Sequence, residues 1–189
     1  MIWNIFSFGM WLFGLYDLGY EGTDKSMVVP EIAVISSDHD LRQSNGVWQY
    51  HGVNFSGYIV EKNGLSVISK IPVLHGREHG TALGWYKSGK KKYERNYMHG
   101  DREGYHWGWY ENNRVAFEYK FHQDQFDGDQ KTYFESGHIW QWLHYVNGYE
   151  EGKQKSWNDS GRVINNFTVK NGKLYGVIGR YDCMSVVKK

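Results

Sequence analysis

Apolar and polar residues alternate along this chain in three successive regimes. Ile2 to Tyr16, IWNIFSFGMWLFGLY, is a continuous apolar run relieved by Asn4, Ser7 and two glycines. Residues 21–46 are polar, with one short extended piece from Met27 to Ile35 that Pro30 interrupts. From residue 47 onward, short runs rich in Tyr, Phe, Trp, Val and Thr are broken repeatedly by SG, NN and NG dipeptides. Such dipeptides supply the positive φ that tight hairpin turns need, and the runs between them carry residues that fit a pleated surface. No helical period is evident after residue 46. Alternation with period two sorts side chains onto two faces. Tyr93, Arg95 and Tyr97, then Phe117, Tyr119 and Phe121, then Gln141, Leu143 and Tyr145, then Asn165, Phe167 and Val169 form one apolar-aromatic face. Glu94, Asn96, Glu118, Lys120, His144, Asn166 and Thr168 make the other mostly polar. The pattern predicts an all-β chain of hairpins paired into one antiparallel meander.

The hairpins recur with a fixed period. Gly80, Gly104, Gly128, Gly152 and Gly176 are each 24 residues apart. Five positions after each glycine the residue is aromatic: Trp85, Trp109, Tyr133, Trp157 and Tyr181. Tyr86, Tyr110 and Phe134 follow these, and Asn158 breaks the column. A first turn falls at Gly89, Asn113, Gly137 and Gly161, and a second at Gly76, Gly100, Asp124, Gly148 and Gly172. Gly52, Gly57 and Gly64 mark a shorter, drifted earlier copy. Self-similarity at this spacing is the mark of a repeat architecture. The starting glycines are expected where the backbone bends tightly or a ring lies against it, and the Trp/Tyr column is expected to stack along the strip. The division that results is an apolar segment over 1–20 (a signal, an anchor or a cap), a linker over 21–46, hairpin repeats over 47–182 and a tail over 183–189.

Segments such as GWYKSGKKKYERNYMHGDREG, GWYENNRVAFEYKFHQDQFDG and KTYFESGHIWQWLHYVNGYEEG resemble the MORN-type repeat, in particular the variant of bacterial YwqK-like antitoxin components. The resemblance runs from about Gly52 to Tyr181. Asn113 and Asp124 stand where glycine is usual, and Asn158 where an aromatic is usual. It implies an elongated, single-layer hairpin ladder with an aromatic-lined binding surface, and no catalytic residues. It also implies a non-catalytic interaction module, of antitoxin or immunity type, that neutralises a partner by binding it.

Composition narrows the function classes. Net charge is +1 over 189 residues, so no basic stripe points to nucleic acid. Lys90, Lys91 and Lys92 form a cationic cluster that reads as a solvated hairpin tip. The single Cys183 has no intrachain disulfide partner, and no base is identified beside it. The run 2–16 is short of the roughly 20 residues that cross a bilayer as a helix, and it lacks the cationic start and cleavage site of a secretory signal. Membrane contact through residues 2–20 therefore stays open, as does a location at the membrane, outside the cell or in the cytoplasm. The second reading of function is a membrane-tethered or exported scaffold of an envelope or larger assembly. A third is a carbohydrate- or lipid-binding aromatic surface.

No nucleophile elbow, phosphate loop or dinucleotide fingerprint is present, so an enzyme is not expected, nor is a cofactor. Glu103, Asp127, Glu150 and Glu151, just before the glycines, read as solvated turn acids. The nine histidines show no zinc spacing. His75 and His79 straddle a turn, and Asp38-His39-Asp40 lies in a loop, so no metal site is expected. The binding candidates break the repeat columns instead. Trp140 and Trp142 replace Lys, Glu, Ala, Ile and Asn at equivalent positions, and by parity point away from the apolar-aromatic face beside His138 and His144. Trp107 is the next candidate, with a parity read as that of the covered face. Exposed tryptophans are enriched at binding hot spots. A protein partner, a toxin or an assembly component, is expected, and the open ends of the ladder allow end-to-end self-association.

Overall fold

The computed structural model describes residues 27–178. The apolar segment 1–20, Tyr181 of the aromatic column and the tail 183–189 lie outside the described residues. The described chain is all-β, with essentially no helix and 18 strands in a mostly antiparallel, open arrangement.

The N-terminal part has two layers. Strand β1 (Ala33–Ile35) pairs in parallel with β5 (Gly57–Asn63), and between them β2 (Leu41–Ser44), β3 (Val47–Tyr50) and β4 (Val53–Asn54) form a separate three-stranded sheet. The polar stretch expected to act as a linker thus contains two strands. Val34, Leu41, Phe55, Ile59 and Val73 are buried together, with Trp48, Tyr50 and Ile71 packed against them. This is a core between sheets, which a single-layer ladder lacks, so the expected single layer does not hold at this end.

Beyond it the chain runs back and forth through long strands: β6 (Ser66–Leu74), β8 (Gly80–Trp85), β9 (Lys91–Met98), β11 (Gly104–Trp109), β12 (Val115–His122), β14 (Gly128–Tyr133), β15 (Ile139–Val146), β16 (Tyr149–Trp157), β17 (Val163–Lys170) and β18 (Lys173–Ile178). Three two-residue strands, β7 (Arg77–Glu78), β10 (Asp101–Arg102) and β13 (Gln125–Phe126), close short hairpins on β6, β9 and β12. Both residues of each connecting turn have positive φ, as at His99 (54°) with Gly100 (99°) and Gln123 (48°) with Asp124 (64°), and the same holds between β15 and β16 at Asn147 (49°) with Gly148 (81°). That is the type I′ geometry whose twist matches the strands. Asn113 and Asp124, which replace glycine, also stand at positive φ, 67° and 64°, a conformation these short polar side chains tolerate.

Cross-strand register defines two faces. One row runs Ser69, Gly84, Tyr93, Gly108, Phe117, Thr132, Gln141, Ser156, Asn165. It belongs to the side that carries Ile59, Ile71 and Val73, here called the core face. The neighbouring row runs Lys70, Leu83, Glu94, Trp107, Glu118, Lys131, Trp142, Lys155, Asn166 on the opposite, tryptophan face. The rings of the core face lie on glycines, but not on those that open each 24-residue span. A Cβ on Gly84 or Gly108 would fall 2.1 Å from the ring of Tyr93 or Phe117, whereas Gly80, Gly104, Gly128, Gly152 and Gly176 are bends at positive φ.

Candidate functional site

The tryptophan face gathers the column-breaking aromatics. Trp107 sits directly opposite Glu94 and Glu118, so it faces the polar side, and the parity read from sequence is corrected. Counting alone missed this because β11 and β12 shift register between Gly108 and Trp109. The parity of Trp107 is set by its partners and not by the aromatic column beyond it. In the same row Lys131 lies between Glu118 and Trp142. Its Nζ is 3.6 Å from Glu118 Oε2 and 5.9 Å from the centroid of the Trp142 ring. With strands 4.7–4.9 Å apart, Trp107 and Trp142 stand roughly 14 Å apart, joined by a charge pair.

A histidine–carboxylate pair lies beside Trp142. Asp129 pairs with His144 across the strands, its Oδ1 lies 2.7 Å from His144 Nδ1, and the Trp142 side chain stands near enough to favour the carboxylate. Partial burial alone raises the Asp129 carboxyl. The hydrogen bond from His144 and the nearby Trp142 side chain, with the charges of His144 and Lys131, outweigh it and hold the group below its ordinary value. The carboxylate is therefore a stable acceptor that orients the His144 ring beside Trp142. Trp140 and Trp142 each remain 43% exposed, and Trp140 leans on Phe134 with ring centroids 5.9 Å apart.

His138 belongs elsewhere. It lies at the opposite end of β15 from His144, with Nδ1 2.6 Å from the Asp159 carbonyl oxygen of the next hairpin tip. Lys90 and Arg114, 48 and 24 residues earlier, donate in the same way to the carbonyls of Glu111 and Glu135. His138 is thus a tip-to-tip brace. The lysine cluster is also engaged: Lys91 pairs with Glu94 at 2.8 Å and lies over Trp109, and Lys92 lies over Tyr86. Among the described residues no ring contact joins Trp85 to Trp109 or Trp109 to Tyr133. Trp109 stacks instead on Trp107 within its own strand, at 6.3 Å and 17°. The expected stack along the strip is absent because column neighbours are two strands apart, beyond ring contact.

The core face beyond the two-layered end also presents rings. Arg95, Tyr97, Arg102, His106, Phe117, Tyr119, Phe121 and Phe126 line a shallow depression. Phe126 contacts Tyr119, Phe121 and Tyr145 at 4.7–5.6 Å between centroids. Sequence reading missed Phe126 and Arg102, since both lie on two-residue strands. The turn acids are not merely solvated. Glu103 accepts from the Gln123 backbone N–H at 3.0 Å and faces His122 Nδ1 at 3.0 Å. Asp127 accepts from Asn147 N–H and Glu151 from Asn171 N–H. Their signal was the constant column, four residues wide with His79, which accepts from His99 N–H through Nδ1.

No helix among the described residues is long and apolar enough to cross a membrane. No protein-family model matches the sequence, and no curated protein matches it significantly.

Proposed function

We propose that the chain is a non-catalytic protein-interaction module, built on a tandem MORN-type hairpin repeat, that binds a partner protein through its tryptophan face. The observation that carries this reading is the fixed row from Trp107 to Trp142. Two large rings, partly exposed, flank an intervening charge pair, with the Asp129–His144 pair beside Trp142. Large amphipathic anchors that are ordered before binding lose little side-chain entropy on association. The 24-residue spacing supports the repeat, and an antitoxin or immunity role is the form of this reading that the family resemblance favours.

The test is affinity capture from the native host with the wild-type chain, Trp140→Ala/Trp142→Ala and Trp107→Ala, followed by titration of the captured protein. A specific partner whose binding weakens at least about tenfold in each variant is the expected result. Equal binding by all three overturns the tryptophan face as the interface. The second reading, a tethered or exported scaffold, rests on the apolar run 2–20. Fractionation of the full-length chain and of residues 21–189 tests it, and a full-length chain found wholly in the soluble fraction removes the anchor.

A further inference from the structure

Asp38, His39, Asp40 and His51 meet at the outer end of the three-stranded sheet. The backbone brings them together. Leu41 pairs with Tyr50 at the end of the β2–β3 ladder, so the residues just outside that pair, Asp40 and His51, are adjacent, and His51 N–H donates to the Asp40 carbonyl at 3.2 Å. Asp40 Oδ2 then has two imidazoles in front of it: His39 Nε2 at 3.2 Å and His51 Nδ1 at 3.3 Å. Asp38 completes the group, its Oδ1 3.7 Å from His39 Nδ1. Ligand atoms of Asp38, His39 and Asp40 all lie within 4.8 Å of one another.

We infer that Asp38, His39 and Asp40, with His51 reaching Asp40 from across the hairpin, form a binding site for a divalent transition-metal ion of the zinc class. Three observations converge. The donor set is two imidazole nitrogens and two carboxylate oxygens, which suits Zn²⁺, Co²⁺ or Ni²⁺ and not the all-oxygen preference of Ca²⁺ or Mg²⁺. The spacing fits around Asp40: with metal–ligand bonds of about 2.0–2.2 Å, ligand atoms of a tetrahedral site stand about 3.3–3.6 Å apart, and its two imidazole contacts are 3.2 and 3.3 Å, while Asp38 faces the other nitrogen of His39 and joins by rotation of its side chain. Outer partners orient a ligand, since Asp38 accepts from the Asp40 backbone N–H at 3.0 Å and from the Tyr50 hydroxyl at 3.4 Å, the kind of support that conditions metal affinity. The other histidine–carboxylate contacts among the described residues, His122 with Glu103, His138 with Asp159 and His144 with Asp129, each bring one imidazole to one carboxylate and offer two ligands. Sequence showed Asp38-His39-Asp40 as a run in a loop. The fourth ligand comes from across the hairpin.

Bound there, the ion joins the loop at 38–40 to the turn at His51-Gly52 and so fastens the small sheet that closes the buried core of Val34, Leu41, Phe55, Ile59 and Val73. The inference is independent of the tryptophan face.

The experiment titrates chelator-treated full-length protein with ZnCl₂ by calorimetry, with thermal unfolding in parallel and Co²⁺ visible absorption as a report of tetrahedral geometry. One saturable ion per chain is expected, with an unfolding midpoint that rises with free Zn²⁺, because an ion that binds only the folded state stabilises it by mass action. Asp40→Asn, His51→Ala and His39→Ala should each weaken binding at least about tenfold, and Tyr50→Phe less. His122→Ala and His144→Ala should leave it unchanged. His39 is 89% exposed, so its variant keeps the apo fold and decides the matter should Asp40→Asn or His51→Ala unfold. Absence of saturable binding, or binding that the His39 variant leaves intact while His122→Ala or His144→Ala abolishes it, overturns the site.

Discussion

Three side chains repair the sheet from within. Where β9, β12 and β15 meet the next long strand, pairing lapses near Asn96, Lys120 and His144. Gln130 fills one gap, accepting from Lys120 N–H at 3.0 Å and donating to Lys120 C=O at 2.9 Å. Gln154 does the same for His144, at 3.2 and 2.8 Å, and His106 Nε2 lies 2.8 Å from the Asn96 carbonyl. All three are buried. The position equivalent to 96, 120 and 144 one span earlier is Pro72, which has no N–H, and the residue equivalent to Gln130 is Ala82. A buried polar group left without a partner costs about 1–3 kcal/mol. Gln154→Leu leaves both backbone groups of His144 unpaired, so a loss of about 2–4 kcal/mol is expected in urea unfolding. Burial, ahead of its other influences, pushes the His106 imidazole below its ordinary value, as it does for His79. The unfolded chain binds a proton on such a histidine near pH 6.5 and the folded chain resists it. Stability is therefore full above that pH and declines as pH falls towards the folded value. His106→Gln, which copies positions 130 and 154, should keep the fold and reduce this decline, measured as unfolding midpoint between about pH 7 and 5.

Elements are specified by small residues under large ones. Gly84 under Tyr93 and Gly108 under Phe117 give way, one span later, to Thr132 opposite Gln141, where no ring needs the room. Gly108 does not sit at positive φ, so its requirement is space. Gly108→Ala drives Cβ into the Phe117 ring, and overpacking of this kind costs about 1–3 kcal/mol. The double variant Gly108→Thr/Phe117→Gln, which transplants the Thr132–Gln141 pair, should recover most of that loss in the same unfolding assay. Strand existence and turn position were legible in the sequence because Gly, Asn and Asp at fixed spacing force positive φ. Face assignment held for Trp142, which was read by parity along its own strand, and failed for Trp107, which was read by parity with the aromatic column beyond the register shift at Trp109. The short strands β7, β10 and β13 were invisible, since two residues carry no period.

At the scale of the molecule, an open sheet is held in series by bonds between residues about 20 apart. Carboxylates take part, and their titration sets the acid limit. The His122 side chain, and then the Gln123 backbone, hold Glu103 below its ordinary value, and the Arg102 backbone N–H does the same for Asp124. Depressed carboxyls contribute stability above their unfolded values, about 4.3 and 3.9, and lose it as pH falls through the folded ones. An acid titration should show this second decline below about pH 4.3, shallower in Glu103→Gln. The two-layered end was the least legible part. Val34, Leu41 and Phe55 lie in stretches with no period of their own, and only contact with Ile59 and Val73 makes them a core.

Most braces at the short turns share a direction. His79, Glu103, Asp127 and Glu151 accept from the N–H groups of residues 99, 123, 147 and 171. The carbonyls of Phe55, Glu78, Arg102 and Phe126 likewise accept from Gly76, Gly100, Asp124 and Gly148. In these eight bonds the acceptor is synthesised first, whereas Arg102 N–H, which donates to Asp124 Oδ1, and Trp48 N–H, which donates to the Gly76 carbonyl, run the other way. A turn that forms later therefore finds most of its acceptors already present in the hairpin before it. Loss of late hairpins leaves carboxylates and carbonyls that water solvates readily, while loss of early ones strands donors at turns already formed. The architecture is polar in time as well as in space.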